Sequence, residues 1–446
     1  MTEVVPPQRY FDEVVGWATD ALQADEVLLA TTNGETTDFI RFTQGDVRQA
    51  GSIQQMTLSL DLISGRRHAE GTVMLSNDGG MDRLRVEQLV GRLREQRALV
   101  PDDPYLLFNT DPVSSEFVGQ RTLPDPADAL ARVRTAAGGE DLVGIYAAGD
   151  IFSGFANSLG QRNWHQSATF NLDWSFHLRA DKAAKNHYAG FTWDDDAFDR
   201  RIDWSRRQLA ALDREPVDLA PGAYRTYLAP AALQELVDLW CRGGFSERSH
   251  RTMQTPLLRM VTDDVTLDPS IRVTEDIAGG LAPNFQEAGF MRPDDVVLID
   301  DGAYRNTLVS PRSAQEYGVA TNGAGAGEGP EALAIAPGDL SAAASVELLG
   351  TGLHVGNLWY TNFSDRAACR TTGMTRFATF WAEDGEIVAP VNVMRFDDTI
   401  YSLFGDALVG LTDEAEVILD SKTHHRRSTS SMRVPGVLVE EMTFTL

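Results

Sequence analysis

Side chains able to grip a metal or attack a carbonyl are sparse in this chain, and few stand at spacings that bring them together. Eight histidines and two cysteines are spread over 446 residues. Cys241 precedes His250 by nine residues, and a thiol with an imidazole in hydrogen-bond reach would make a nucleophile and its base. Cys241 shares the apolar side of its helical pattern with Leu236, Val237 and Trp240, which predicts a buried structural thiol instead. His165, Asp173 and His177 have one parity on a predicted strand and so share a face. Twelve residues separate the two histidines, about 40 Å at roughly 3.3 Å per residue, far beyond the span of one ion. They read as polar residues of a sheet surface.

His424 and His425 are adjacent, point to opposite faces if extended, and are flanked by Arg426 and Arg427, which oppose a dication. A solvent-exposed loop is predicted there. The run Gly323-Ala324-Gly325-Ala326-Gly327-Glu328-Gly329 lacks the Lys-Ser/Thr of a phosphate loop, and Glu328 would repel a phosphate. It predicts a flexible loop. Asp194-Asp195-Asp196 lacks the glycine and spaced oxygens of a calcium loop. It precedes a helical pattern, where carboxylates favour the N-terminal end of the dipole.

The elements that would position these groups follow from periodicity. Tyr10, Phe11, Val14, Trp17, Ala18 and Leu22 recur at helical spacing. Residues 26–32 and 38–43 predict strands split by a turn at Asn33-Gly34, and 56–63 with 68–75 predict a hairpin. Residues 81–99 predict a helix with Leu84, Leu89, Val90 and Leu93 on one stripe. Strands at 142–149, 151–159, 164–178 and 186–193 predict one antiparallel sheet, followed by a helix at 198–212. The stretch from Arg214 to Gly222, with Pro216 and Pro221, marks a linker. Beyond it come a short strand at 224–228, a helix at 231–241 started by Pro230, and strands at 296–299, 304–309, 353–360, 374–382, 387–394 and 437–444. The fold class is α+β: two lobes, residues 1–215 and 216–446, each a strongly bent mixed or antiparallel sheet with flanking helices.

The net charge of −26 disfavours a nucleic-acid surface, which needs clustered Lys and Arg. Only three of the basic residues are lysines. No apolar run approaches the roughly 20 residues of a membrane span. The first residues, Met1-Thr2-Glu3-Val4-Val5-Pro6-Pro7, show no signal-peptide pattern. Two cysteines in so long a chain argue against a disulfide framework. A cytoplasmic location is expected.

Three runs near the end carry a resemblance. Gly352-Leu353-His354-Val355-Gly356-Asn357-Leu358-Trp359, Asn362-Phe363-Ser364-Asp365 and Glu383-Asp384-Gly385-Glu386-Ile387-Val388-Ala389-Pro390-Val391 resemble the C-terminal lobe of TldD/PmbA proteins. Asp38 to Val47, Ser153 to Gly160, Tyr224 to Pro230, Ala336 to Ser341 and Val434 to Glu440 continue the likeness in order along the chain.

The catalytic TldD type carries His-Glu-x-x-x-His on the helix after the Leu-Ala-Pro step. Its imidazoles bind zinc and its glutamate activates water. Counted from Leu228-Ala229-Pro230, those positions fall near Asp238, Leu239 and Gly243. The family's third ligand is a cysteine near the C-terminus, and none follows Cys369 here. The resemblance therefore implies the PmbA/TldE branch: no catalytic residues, no metal and no cofactor of its own. Zinc is expected in a TldD-like catalytic partner subunit, in a heterodimer or else a homodimer, with a peptide as substrate. The resemblance also implies substrate-cavity candidates at Asn157, Asn362, Ser364, Asp365, Cys369 and His250, with loop mobility at the glycine run bearing on peptide entry. Two rival readings are a hydrolase recruited to cleave a small amide, drawing on Asp238, Glu247 and His250, and a non-enzymatic binding protein.

Overall fold

The computed structural model describes residues 5–179, 182–421 and 425–445. The first half runs α1 (Pro7–Asp20), β1 (Val27–Thr43), β2 (Asp46–Ser64), β3 (Arg67–Leu75), α2 (Gly79–Arg97), β4 (Ser115–Val118), α3 (Pro126–Ala137), β5 (Leu142–Asn157), β6 (Arg162–Arg179), β7 (Lys182–Gly190) and α4 (Asp195–Leu212). The second runs β8 (Gly222–Leu228), α5 (Pro230–Cys241), α6 (Glu247–Arg251), α7 (Leu258–Thr262), β9 (Val273–Asp276), β10 (Asp295–Asp300), β11 (Ala303–Tyr304), α8 (Pro311–Tyr317), β12 (Ala332–Ile335), α9 (Ser345–Leu349), β13 (Gly352–Asp365), β14 (Arg370–Glu383), β15 (Glu386–Pro390), β16 (Arg395–Thr399), β17 (Leu408–Leu419) and β18 (Ser431–Phe444).

The first seven strands form one sheet in the order β3-β2-β1-β5-β6-β4, with β7 also on β6. The other eleven form a second sheet, ordered β11-β10-β9-β12-β18-β16-β14-β13-β8. There β15 joins β14 and β17 joins β18. Because β8 also pairs with β18, strands β8, β13, β14, β16 and β18 close into a ring. Pairing is antiparallel except at β4–β6, β8–β13 and β12–β18. This is the α+β class with mixed sheets that the sequence predicts.

Long strands explain most of the first sheet. β1 crosses Asn33-Gly34 without turning, because Gly34 pairs with Met56 on one side and Phe152 on the other. The Phe152 ring lies where a Cβ on Gly34 would stand, so the glycine serves close approach rather than a turn. The turn between β5 and β6 is where the sequence predicts one. Asn157 Oδ1 accepts from the Leu159 and Gln161 amides at 3.0 Å each, and Gly160 takes φ +103°.

On α2 the buried stripe is Val86, Leu89, Val90 and Leu93 with Asp82, whereas Leu84 faces solvent. Asp82 is fully buried because Tyr10 Oη donates to it at 2.7 Å and the Ser76 amide at 2.8 Å. Asp194 caps α4, accepting from the Ala197 amide at 3.2 Å, as the acidic triplet predicts. Of the strand predicted at 304–309 only Ala303–Tyr304 forms, since Leu308 leaves to bridge Ser246.

The glycine run is also held more firmly than its composition predicts. Glu328 is buried and accepts from Ser246 Oγ at 2.6 Å, the Arg248 amide at 2.9 Å, and the Ser310 amide and Oγ at 2.9 and 2.8 Å. Burial alone would raise this carboxyl, but the bonds outweigh it and hold it below the usual glutamate range. The two sheets are joined by a small shared core, in which Ala184, Ala211 and Leu212 meet Ala378 and Phe380. Burying one such phenylalanine contributes about 1.5–3 kcal/mol.

Candidate functional site

The site is built around α5. Pro230 starts the helix at a position whose N–H would have no helical partner. Ala232, Leu233, Leu236, Val237, Leu239 and Trp240 then face the core of the second sheet. The opposite stripe, Ala231, Gln234, Glu235, Asp238, Cys241 and Arg242, lines a cleft of about 520 Å³. The facing wall comes from the first sheet, where Asn171 and Asp173 lie two apart on β6 and so share a face. His187 is the register partner of Asp173 on β7. Asp420 and Ser421, after β17, close one end. The cleft thus lies between the two sheets.

Polar contacts fix this lining. Gln234 Nε2 donates to Asp238 Oδ2 at 2.6 Å. Asn171 Nδ2 donates across the sheets to the Asp420 carbonyl at 3.2 Å. His187 Nε2 lies 3.4 Å from Glu416 Oε2, and the Lys185 ammonium sits 5.7 Å from the centre of the Phe377 ring. Burial raises the Asp173 carboxyl above the usual aspartate range, against the pull of His187 and Lys185. Burial, then Asp238 and Glu275, push the Cys241 thiol well above its usual range.

Zinc does not fit this donor set. A zinc site needs imidazoles, thiolates or carboxylates converging on one point. The α5 stripe offers two carboxylates, Glu235 and Asp238, the second tied to the Gln234 amide, with a thiol held protonated and the Arg242 cation. The imidazole on the opposite wall is engaged with Glu416. Among the described residues, three such donors meet within 4.8 Å at Asp61, His68 and Glu70. Those lie on the β2–β3 hairpin, where His68 Nδ1 already bonds Asp61 at 3.0 Å.

Of the three positions counted from the sequence, Asp238 alone faces the cleft. Leu239 is buried in the core, and Gly243 lies past the helix end at φ +87°. The other candidates lie elsewhere. Asn157 is buried in the β5–β6 turn. Asn362, Ser364 and Asp365 lie at the end of β13 and Cys369 in the turn to β14: Asn362 Oδ1 accepts from the Phe363 amide at 2.8 Å and Asp365 Oδ1 from the Ala368 amide at 3.2 Å. Cys369 is fully buried in the hydrophobic core, its thiol pushed up to about 12 by burial. His250 packs on Tyr304 with ring centres 4.6 Å apart, and Glu247 accepts from Thr307 at 2.6 Å.

His165 stacks on Phe117 at 4.9 Å, and His177 lies toward the other end of β6. His425 is exposed, as predicted for its loop, and His424 lies outside the described residues. Sequence reasoning passed over Asn171, Lys185, His187 and Gln234. The i, i+4, i+7 spacing of Gln234, Asp238 and Cys241 held the signal for the α5 stripe. Nothing in the sequence placed β7 against it.

A second hollow, of about 550 Å³, lies on the first sheet beneath residues 425–429. Its wall carries Arg427, buried and donating to the Gly149 carbonyl at 3.2 Å and to Thr169 Oγ1.

Comparison with known proteins fits this architecture. Residues 221–446 match the PmbA/TldA metallopeptidase C-terminal domain. This match spans just over half of the sequence, and the chain belongs to the TldD/PmbA family. Solved structures share the fold along its length. A candidate modulator of a DNA gyrase from Thermotoga maritima superposes with a TM-score of 0.78 at 13% identity, covering 98% of this chain and 99% of that one. TldE from Thermococcus kodakarensis gives 0.77 at 15%, covering 98% and 99%. A candidate modulator of DNA gyrase from Bacteroides thetaiotaomicron gives 0.74 at 15%, covering 98% of both chains. At these identities the likeness is one of fold. None of the curated protein sequences matches significantly.

Proposed function

We propose that the chain is the PmbA/TldE-like, non-catalytic subunit of a heterodimeric zinc peptidase acting on unfolded or precursor peptides in the cytoplasm. The observation that carries this reading is the α5 stripe. The helix that bears the zinc ligands in the catalytic type turns Gln234, Glu235, Asp238, Cys241 and Arg242 toward the cleft. That set can bind and orient a peptide through hydrogen bonds and charge, but it lacks the donors to activate water on a metal. Hydrolysis is then the task of a TldD-like partner, while this chain shapes the space that the peptide enters. Cys241 and Cys369, both unpaired, suit a reducing compartment.

The test is metal analysis of the purified chain together with a pull-down against a zinc-helix homologue from the same source. No stoichiometric zinc in the chain alone and co-purification with the homologue are expected. Stoichiometric zinc without a partner would sink the reading.

A further inference from the structure

The lining of the cleft continues along β13. Asn357 lines the cleft, and Trp359, two residues on, falls on the same face about 6.6 Å further along. The register sets Asn357 opposite Arg376 and Trp359 opposite Met374 on β14, so all four side chains share that face. Leu358, of opposite parity, is buried in the core of the second sheet. Asn357 is buried, whereas Trp359 is 47% exposed and Met374 is exposed as well. The lining therefore runs out of the cleft onto an open apolar step.

Arg376 crowns this step. Its guanidinium carbon lies 3.8 Å from the centre of the Trp359 ring and 5.1 Å from that of Phe377, contacts that hold the group by cation–π attraction. Its N–H groups make no hydrogen bond or ion pair among the described residues, and each side-chain nitrogen stays open to solvent. Lys185, 5.7 Å from the centre of the same Phe377 ring, shares its charge with Asp173. Arg376 has no such carboxylate, although the chain carries a net charge of −26.

The backbone points the same way. The β13–β14 pairing is bulged on either side of the step, between Val355 and Asn357 and between Trp359 and Asn362. Tyr360 and Phe377 take φ of +56° and +59°, a conformation that bulky residues rarely adopt. Such bulges re-aim side chains beside binding sites. Here they leave Tyr360 78% exposed next to Trp359, with ring centres 5.4 Å apart.

A guanidinium with a free N–H edge on an apolar step is complementary to a carboxylate carried beside an apolar side chain. We propose that Arg376 binds a peptide carboxylate, that of the C-terminus, with the terminal apolar side chain lying on Trp359 and Tyr360. An aspartyl or glutamyl side chain offers the same group. The peptide rests on the reading of the cleft as a surface for peptides, whereas the subunit role of the chain does not depend on this step.

Calorimetric titration of the intact chain tests this with three peptides: N-acetyl-Ala-Ala-Phe as the free acid, the same peptide as its C-terminal amide, and N-acetyl-Ala-Asp-Phe amide. The free acid is expected to bind at least about tenfold more tightly than its amide, a difference of about 1.4 kcal/mol. Arg376→Gln is expected to abolish that difference and leave the amide unchanged, and Trp359→Ala to weaken acid and amide alike. Urea midpoints check that both variants fold, and the comparison of acid with amide on the unaltered chain needs no variant. Tight binding of the aspartyl amide alone supports the carboxylate site and removes the C-terminus as its source. Equal binding of all three peptides overturns the carboxylate site, as does an acid preference that survives Arg376→Gln. No binding of any of the three overturns the proposal and leaves the subunit reading to its own test by zinc and co-purification.

Discussion

Gln234 and Asp238 are bonded to each other at 2.6 Å, one turn apart on the cleft face of α5. The pair occupies the i, i+4 spacing at which two imidazoles on a helix grip a single ion. An amide and a carboxylate in that spacing satisfy one another instead.

Placing imidazoles at these two positions makes a direct prediction. The double variant Gln234→His with Asp238→His is expected to bind zinc where the parent chain does not, with Glu235 beside them to complete the set. At zinc concentrations a hundred times the dissociation constant, stability should rise by about 2.7 kcal/mol. Elemental analysis and a zinc-dependent shift in Tm read this out. A variant that folds but takes up no zinc refutes the placement of the helix face.

Glu328 organises three segments through one carboxylate. Glu328→Gln presents an amide N–H₂ to groups that are themselves donors, so at least one bond is lost inside the fold. A loss of about 3 kcal/mol is expected in urea denaturation. An unchanged midpoint would show that the glycine run contributes nothing to the anchoring.

Two histidines are buried in neutral form. His354 packs among Trp204, Tyr227 and Phe380, and burial lowers it to about 4; burial lowers His165 to about 4 as well. In the unfolded chain each would titrate near the ordinary value of about 6.5. As pH falls from about 6.5 to about 4, only the unfolded state takes up these protons, so stability declines across that window. Each histidine accounts for about 3 kcal/mol at the acid end. Urea midpoints measured from pH 7 to 4 should trace the decline, and His354→Phe should remove about half of this contribution.

Two glycines of opposite consequence test the packing. A Cβ on Gly34 would lie within the Phe152 ring and 2.5 Å from the Gln55 carbonyl oxygen, so Gly34→Ala should cost about 2 kcal/mol or more. Gly91, inside α2, has open space around it, and Gly91→Ala should stabilise by about 0.5–1 kcal/mol. Thermal denaturation distinguishes the two; equal effects would contradict the register of β1.

Local signals carried much of the fold. The apolar spacing of Tyr10, Phe11, Val14 and Ala18 becomes the buried face of α1, and Pro230 starts α5 where the sequence predicts it. The helix α3 escaped notice although Asp125-Pro126 before it and Gly138 after it are ordinary start and stop residues. β17 escaped for a better reason. Its run Thr412-Asp413-Glu414-Ala415-Glu416 is polar and bulged, and its strand character comes from pairing with β18. The cleft was legible on one side only. A helical stripe is written in local spacing, but the meeting of Asn171 and Asp173 with that stripe depends on a contact between sheets some 60 residues apart. Parity alone placed Asp173 on a surface and could not say that α5 covers it.

β18 pairs with β8, β12, β16 and β17, so a strand synthesised after all of its partners sits in the middle of the second sheet. Until the ribosome has passed Phe444, the strands around it have hydrogen-bonding edges and apolar faces with nothing to meet. Nascent chains that carry only part of the second sheet are therefore exposed to misassociation, and truncation between β8 and Ser431 should yield an aggregating product.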